Sequence, residues 1–207
     1  MIHDVTKIKA VIFDWGGVCC REGEPFASLD LQYTLQMNPD QLAEKAREIY
    51  DGYYIGKYNR DSFWHTVMSH FGLIENEKIN PLALSDAYLA SYEVYPEVFA
   101  TISKLKSKYK TGLLSNLTPE MRDHIRPKHE TAKYFDAEVY SCDDDVKSMK
   151  PMALPYQIIL EKMKVAARDA LFIDNSLKNI EAAENLGFQT IFFKDIPQFM
   201  EEIKALF

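Results

Sequence analysis

The stretch that decides the fold is AVIFDWGGVCC, residues 10–20. Residues 9–13 are short, apolar and β-branched, without polar alternation, which is typical of a strand covered on both faces of a parallel sheet. Asp14 follows this strand directly, and the glycines at 16 and 17 let the backbone turn sharply and approach a ligand. Because α/β proteins bind ligands at the carboxyl edge of the sheet, Asp14 is a candidate site residue. An aspartate that merely ends a strand is the alternative.

Polar residues follow two further apolar runs. Residues 111–114 lead into Ser115 and Asn116, and residues 170–173 lead into Asp174 and Asn175. From residue 96 onward, strand patterns alternate with helical patterns, and Lys150 with the following proline opens one of the helical patterns. This alternation indicates βαβ units and predicts an α/β protein with a parallel sheet.

Between residues 20 and 92 the chain shows almost no strand signal. Three helical patterns occupy this stretch, over about residues 41–50, 61–71 and 81–92. Their predicted starts are Asn38 before a proline, Asn59 or Asp61, and Asn80 before a second proline. The stretch therefore predicts a small helical subdomain between the first strand and the rest of the sheet.

Four motifs occur in a fixed order and cover nearly the whole chain: Asp14, then Ser115-Asn116, then Lys150-Pro151, then Asp174-Asn175. In that order they resemble the motifs of the haloacid dehalogenase (HAD) superfamily. The chain is similar in particular to the subfamily with a helical cap inserted after the first motif, and to sugar-phosphate phosphatases whose first motif reads Asp-x-Gly. The resemblance implies a Rossmann-like core of residues 1–17 and 93–207, flanked by helices, and an α-helical cap domain of residues 18–92, hereafter the insert.

The resemblance also implies an activity. We expect a Mg²⁺-dependent phosphomonoesterase that hydrolyses a small phosphorylated metabolite, with a sugar 1-phosphate as one candidate. Asp14 would be the nucleophile and would form an aspartyl-phosphate. Lys150 would supply positive charge to the phosphoryl group and to Asp14, and Ser115 and Asn116 would bind phosphoryl oxygens with it. A serine and an asparagine after a strand are also common turn residues.

The implied metal ligands are oxygen atoms, as Mg²⁺ prefers. They are the Asp14 carboxylate, the main-chain carbonyl of Gly16, Asp174 and Asn175. The family usually has two acidic residues at the last pair, so a neutral amide at Asn175 predicts a lower metal affinity. The alternative for Asp174 is that it caps the following helix.

The main departure from the family pattern is Gly16. Most phosphatases of the superfamily have a second aspartate there, which protonates the leaving group and then activates water. Such help is typically worth ~10²–10⁴-fold in rate. Three explanations stay open: a good leaving group, low activity, or an acid from the insert, for which the candidates are Glu22, Glu24, Asp51 and His65.

Two other functions are compatible with parts of the pattern. Gly16 and Asn175 together are compatible with a catalytically degenerate protein that binds a phosphate compound or a partner. The missing second acid is also typical of a metal-free haloacid dehalogenase. Against that function, we expect a larger residue than glycine at 16, and Asp174-Asn175 with Lys150 favours metal-assisted chemistry.

Composition limits the partners. The chain has 207 residues and a net charge of −7, which argues against nucleic acid, because phosphate backbones require a clustered basic surface. No apolar stretch approaches the ~20 residues of a membrane span, and the start lacks an apolar signal core of ~7–15 residues. The three cysteines, Cys19, Cys20 and Cys142, fit reduced thiols. We therefore expect a cytoplasmic monomer or homodimer that binds neither nucleic acid nor membrane.

Overall fold

The computed structural model describes residues 4–207. Within that range the strands are β1 (Ala10–Phe13), β2 (Cys20–Arg21), β3 (Glu93–Val94), β4 (Lys110–Ser115), β5 (Ala137–Tyr140), β6 (Ala170–Asp174) and β7 (Gln189–Phe192). The helices are α1 (Leu29–Leu35), α2 (Pro39–Lys45), α3 (Arg47–Tyr54), α4 (Arg60–His70), α5 (Pro81–Leu89), α6 (Pro96–Leu105), α7 (Pro119–Lys128), α8 (Ala153–Met163), α9 (Leu177–Asn185) and α10 (Ile196–Ile203). No helix of the described residues has the length and apolar character needed to cross a bilayer.

Five strands form one parallel sheet in the order β5-β4-β1-β6-β7. The central strand β1 pairs with β4 on one side and β6 on the other, so that Phe13 lies opposite both Leu113 and Ile173. The ends of three neighbouring strands therefore meet at one edge. The arrangement confirms the predicted α/β class, with a Rossmann-like parallel sheet flanked by helices.

Apolar residues cover both faces of this sheet. Val11 and Phe13 of β1 belong to a buried cluster with residues of α6, α7 and α10. Ala10 and Ile12, which point to the opposite face, belong to a second cluster with residues of α8 and α9. Because both faces are covered, β1 reads as an uninterrupted apolar run.

The insert contributes α1 to α5. The side chains of Asn38, Asn59 and Asn80 each accept a hydrogen bond from a main-chain N–H in the first turn of α2, α4 and α5. This capping satisfies donors that a helix start leaves without a partner. The three predicted helix starts are therefore confirmed.

Two details of the insert differ from the prediction. The single helix expected over residues 41–50 is two helices, because the backbone at Ala46 (φ −100°, ψ 19°) ends α2 and precedes α3. Leu42 of α2 and Tyr53 of α3 are both buried. Helix α1, capped by Ser28, was not predicted. The strands β2 and β3 were not predicted either, since two residues are too few to show a period.

Strands β2 and β3 pair antiparallel, with Cys20 opposite Val94 and Arg21 opposite Glu93. The chain therefore enters and leaves the insert at the same place. The exact domain boundary at residues 17/18 and 92/93 stays a prediction.

A buried carboxylate joins the insert to α7. Glu120 accepts hydrogen bonds from Tyr53 Oη at 2.7 Å, from Trp64 Nε1 at 3.2 Å and from Ser85 Oγ. These donors come from α3, α4 and α5. Three helices of the insert are thus fixed to one side chain of the sheet-flanking layer.

Candidate active site

Three polar side chains meet at the carboxyl edge of the sheet. Asp14 directly follows β1, Ser115 is the last residue of β4 and Asp174 is the last residue of β6. Since β4, β1 and β6 are neighbours and parallel, the register brings these positions together. Ser115 Oγ donates a hydrogen bond of 2.6 Å to Asp14 Oδ1.

Lys150 joins the two carboxylates. Its side chain is buried, and Nζ lies 2.9 Å from Asp14 Oδ1 and 2.7 Å from Asp174 Oδ2. Nζ also donates to the main-chain carbonyl of Leu114 at 2.9 Å. Burial lowers the pKa of Lys150, but the two carboxylates raise it more, so the net shift is upward. The ammonium is therefore held in its charged form between two acids.

The two oxygens of Asp14 differ in their surroundings. Oδ1 accepts from Ser115 Oγ and, at 2.7 Å, from the main-chain N–H of Trp15, and it faces Lys150 Nζ. Oδ2 has no hydrogen-bond donor within residues 4–207, and Asp14 lines a cavity of about 290 Å³. Burial raises the pKa of Asp14, Lys150 lowers it and Asp174 raises it, with a net rise to about 7. Oδ2 is thus the oxygen available to a ligand.

Asp174 lies behind Lys150 and does not line the cavity. It is fully buried. Its oxygens accept from the Ser176 N–H at 2.8 Å, from Asn179 Nδ2 at 3.1 and 3.0 Å, and from Lys150 at 2.7 Å. A carboxylate has about four acceptor positions, and these four contacts use them. In this arrangement Asp174 holds Lys150; its role as a metal ligand stays a prediction.

The side chain of Asn116 also holds Lys150. Nδ2 donates to the Lys150 carbonyl at 3.0 Å, and Oδ1 accepts from the Lys150 N–H at 2.8 Å. The amide is thus engaged with the main chain of Lys150 on both sides. The predicted binding of phosphate by Asn116 would have to use its main-chain N–H.

The remaining candidate metal ligands line the cavity. Gly16 and Asn175 both do so, together with Asp14. The Asn175 amide lies across Gly17, where an added β-carbon would be 2.1 Å from Nδ2. Only a glycine, here with φ 76°, leaves that space to the amide.

These donors suit Mg²⁺ in kind and number. Within residues 4–207 there is no group of three or more His, Cys, Asp or Glu side chains placed to hold a metal ion. Mg²⁺ does not require one, since it commonly keeps several waters and binds through one or two carboxylates plus substrate phosphate. An Asp14 oxygen, the Asn175 amide oxygen and the Gly16 carbonyl are hard oxygen donors of this type, so the residues present fit the ion.

The Glu22 carboxylate lies next to the position that a side chain at Gly16 would occupy. A β-carbon at Gly16 would lie 3.3 Å from Cγ and 3.5 Å from Oε1 of Glu22, which also lines the cavity. Among the other acids considered, Asp51 lines the cavity, whereas Glu24 and His65 do not. Burial by the protein around the cavity raises the pKa of Glu22.

Sequence reasoning missed two groups of site residues. The first group is Asn179 and the Ser176 N–H, which orient Asp174. The available signal was the spacing, because Asn179 lies in the first turn of α9, five residues after Asp174. The second group is four tyrosines of the insert that line the cavity: Tyr50, Tyr54, Tyr88 and Tyr92. No pattern in the sequence distinguishes these from buried aromatics such as Tyr53.

Comparison with known proteins agrees with this geometry. A model of haloacid dehalogenase-like hydrolases matches residues 8–187. Among curated proteins, phosphoglycolate phosphatase of Escherichia coli is 28% identical over 99 residues, 47% of this chain and 38% of that protein. The phosphorylated carbohydrates phosphatase of Thermotoga maritima is 30% identical over 98 residues, 47% of this chain and 44% of that protein. The match thus spans less than half the length of these curated relatives.

A solved structure shows the same fold. A HAD family enzyme from Bacteroides thetaiotaomicron, in complex with magnesium and inorganic phosphate, superposes with a TM-score of 0.75 at 20% identity. The superposition covers 90% of this chain and 94% of that chain.

Proposed function

The chain belongs to the family of haloacid dehalogenase-like hydrolases, and from that premise we propose that it is a Mg²⁺-dependent phosphomonoesterase acting on a small phosphorylated metabolite. The observation that carries the proposal is the asymmetry of Asp14. Oδ1 is fixed by Ser115, Trp15 and Lys150, while Oδ2 is available to the cavity. A fixed carboxylate with one available oxygen suits in-line attack on a phosphoryl group.

In the proposed reaction Asp14 Oδ2 forms a bond to phosphorus while the bond from phosphorus to the leaving oxygen breaks. Water then attacks the aspartyl-phosphate, releasing inorganic phosphate and restoring Asp14. Lys150 supplies positive charge to the phosphoryl oxygens, and the Asn116 main-chain N–H donates to them. The Ser115 hydroxyl already donates to Asp14 Oδ1, so its part is to orient the nucleophile. Mg²⁺ held by Asp14, Gly16 and Asn175 would neutralise further charge, since phosphoryl transfer depends mostly on positioning and electrostatics.

Glu22 is the proposed proton donor. Its carboxyl lies next to the space that the missing side chain of Gly16 leaves. Burial raises its pKa, which favours the protonated form needed to donate to the leaving oxygen. The resulting carboxylate then accepts a proton from the attacking water. Because Glu22 belongs to the insert, the insert would supply the general acid.

The test is phosphate release from a panel of substrates. The panel contains sugar 1-phosphates, other phosphorylated carbohydrates, phosphoglycolate and an aryl phosphate, each with and without Mg²⁺. We expect metal-dependent release that Asp14→Asn abolishes, and acid quenching should trap labelled phosphate on the wild-type chain only. Asp144→Asn is the matched control, because the Asp144 side chain is fully exposed, and it should keep the wild-type rate.

Glu22→Gln tests the acid separately. We expect a loss of ~10²–10⁴-fold for alkyl phosphates and a much smaller loss for an aryl phosphate, whose leaving group needs no proton. Equal losses for both substrates would contradict the role of Glu22. No phosphate release from any compound, with folded protein and saturating Mg²⁺, would overturn the proposed activity. Metal-free halide release from a 2-chloro acid would replace it.

A further inference from the structure

The insert lines part of the cavity, and its lining residues form a subsite. Tyr50, Tyr54 and Asp51 come from α3, and Tyr88 comes from α5. The whole cavity, about 290 Å³, is near the lower end of the ~300–1,000 Å³ usual for ligand pockets. After the phosphoryl group is placed at Lys150, the remaining space suits a leaving group of a few carbon atoms.

The hydroxyls of this subsite are neutral and can both donate and accept. Tyr50 Oη and Tyr54 Oη lie 3.2 Å apart, and Tyr88 Oη lies 3.1 Å from Thr118 Oγ1. Burial raises the pKa of Tyr50 to about 12 and also raises the pKa of Tyr54 well above its ordinary value, so neither hydroxyl ionises near neutrality. Such groups match the hydroxyls of a polyol or sugar.

The charges in the cavity are arranged unevenly. Lys150 is the one basic residue among the lining residues of the described chain, and it already faces Asp14 and Asp174. Asp51, an exposed residue, also lines the cavity, and it takes part in no ion pair within residues 4–207. A second anionic group on the substrate would find no cation there and would face a carboxylate.

We infer that this subsite selects a phosphate monoester with a neutral, hydroxylated leaving group, and that Asp51 excludes substrates with a second anionic group. The inference rests on the proposed phosphatase function and narrows it. It distinguishes between the substrates for which the curated relatives are named. A phosphorylated carbohydrate fits the subsite, whereas phosphoglycolate, which carries a carboxylate, does not.

The experiment uses two substrates that differ in one group. Glycerol 3-phosphate and 3-phosphoglycerate have the same carbon skeleton, with a hydroxymethyl group in one and a carboxylate in the other. We expect the wild-type chain to prefer glycerol 3-phosphate in kcat/KM by about tenfold or more. Asp51→Asn should reduce the preference by about fivefold, and Asp51→Glu should retain it. The preference should also shrink between 0.05 and 0.5 M salt, because ions screen a charge effect but not a steric one.

A control and a binding measurement complete the test. Asp86→Asn removes an exposed acid of the insert that does not line the cavity, and it should leave the preference unchanged. Equal or better use of 3-phosphoglycerate by the wild-type chain would overturn the inference. If neither compound is hydrolysed, neither is a substrate, and the proposed phosphatase activity is contradicted for these two compounds. Calorimetric binding to the Asp14→Asn chain then decides: tighter binding of glycerol 3-phosphate supports the inference, while equal, weaker or undetectable binding overturns it.

Discussion

Replacing Lys150 with methionine tests the central claim that one ammonium holds two buried acids. Its Nζ lies 2.9 Å from Asp14 Oδ1 and 2.7 Å from Asp174 Oδ2. Removing one partner of a buried pair costs about 3–5 kcal/mol. Asp14 can relieve its share by taking up a proton, since its pKa is already raised to about 7. Asp174 is fully buried and has no access to the cavity, so most of the cost falls on it. We expect Lys150→Met to lower the free energy of unfolding by about 3–5 kcal/mol and to abolish activity.

The assay is urea unfolding at neutral pH, followed by the fluorescence of the buried tryptophans and extrapolated linearly to water. Lys162→Met is the matched control, because Lys162 pairs with Asp145 on the surface at 3.2 Å, and exposed pairs contribute about 0–1 kcal/mol. Adding Asp174→Asn to Lys150→Met should recover about 1–2 kcal/mol, since no unpaired carboxylate is then buried. A loss below about 1 kcal/mol for Lys150→Met, or no recovery in the double variant, would refute this reasoning.

Three further predictions concern the backbone, the insert and pH. Gly17→Ala should destabilise the chain more than Gly72→Ala. Both glycines have positive φ (76° and 64°), but a β-carbon at 17 would lie 2.1 Å from Asn175 Nδ2, whereas one at 72 would meet nothing within 4 Å. Equal losses of unfolding free energy in urea would contradict this placement of Asn175. Glu120→Gln should cost about 1–3 kcal/mol in the same assay, because three donors of the insert bind this carboxylate, and an unchanged midpoint would disprove the link. Burial lowers the pKa of His129 below its ordinary 6.5, so the unfolded chain binds the proton more readily and the free energy of unfolding falls as pH drops below 6.5. His129→Gln should make this fall less steep between pH 7 and 5. The same dependence of unfolding free energy on pH in the variant and the wild type would contradict this prediction.

The sheet and the catalytic edge could be predicted from sequence because their signals are local. A strand covered on both faces must be apolar throughout, so β1 was evident from residues 10–13. Parallel strands end at a common edge, so Asp14, Ser115 and Asp174 could be placed together before any distance was known. The capping asparagines of the insert gave helix starts for the same reason, since a cap acts within its own turn.

What could not be predicted depends on contacts between distant parts of the chain. The Asn116 amide binds the main chain of Lys150, 34 residues later, and no spacing rule indicates such a pair. Glu22 was one of four candidate acids, and only the path of the chain after Gly17 brings it beside Gly16. Alanine has a high helix propensity, yet α2 ends just before Ala46. Helix propensity is a weak preference, and the burial of residues on both sides of Ala46 overrides it.

The pairing of β2 with β3 brings the two ends of the insert together. A segment whose two ends lie side by side, Cys20 opposite Val94, can be replaced by a longer or shorter one without changing any crossover of the sheet. Recombination at this ribbon would replace the insert residues that line the cavity and leave Asp14 unchanged. A replacement segment must cover the core with apolar side chains, because Trp15 of the core shares one buried cluster with Phe26 and Trp64 of the insert. A chimera with apolar side chains at the equivalent positions should fold, and one with polar side chains there should aggregate.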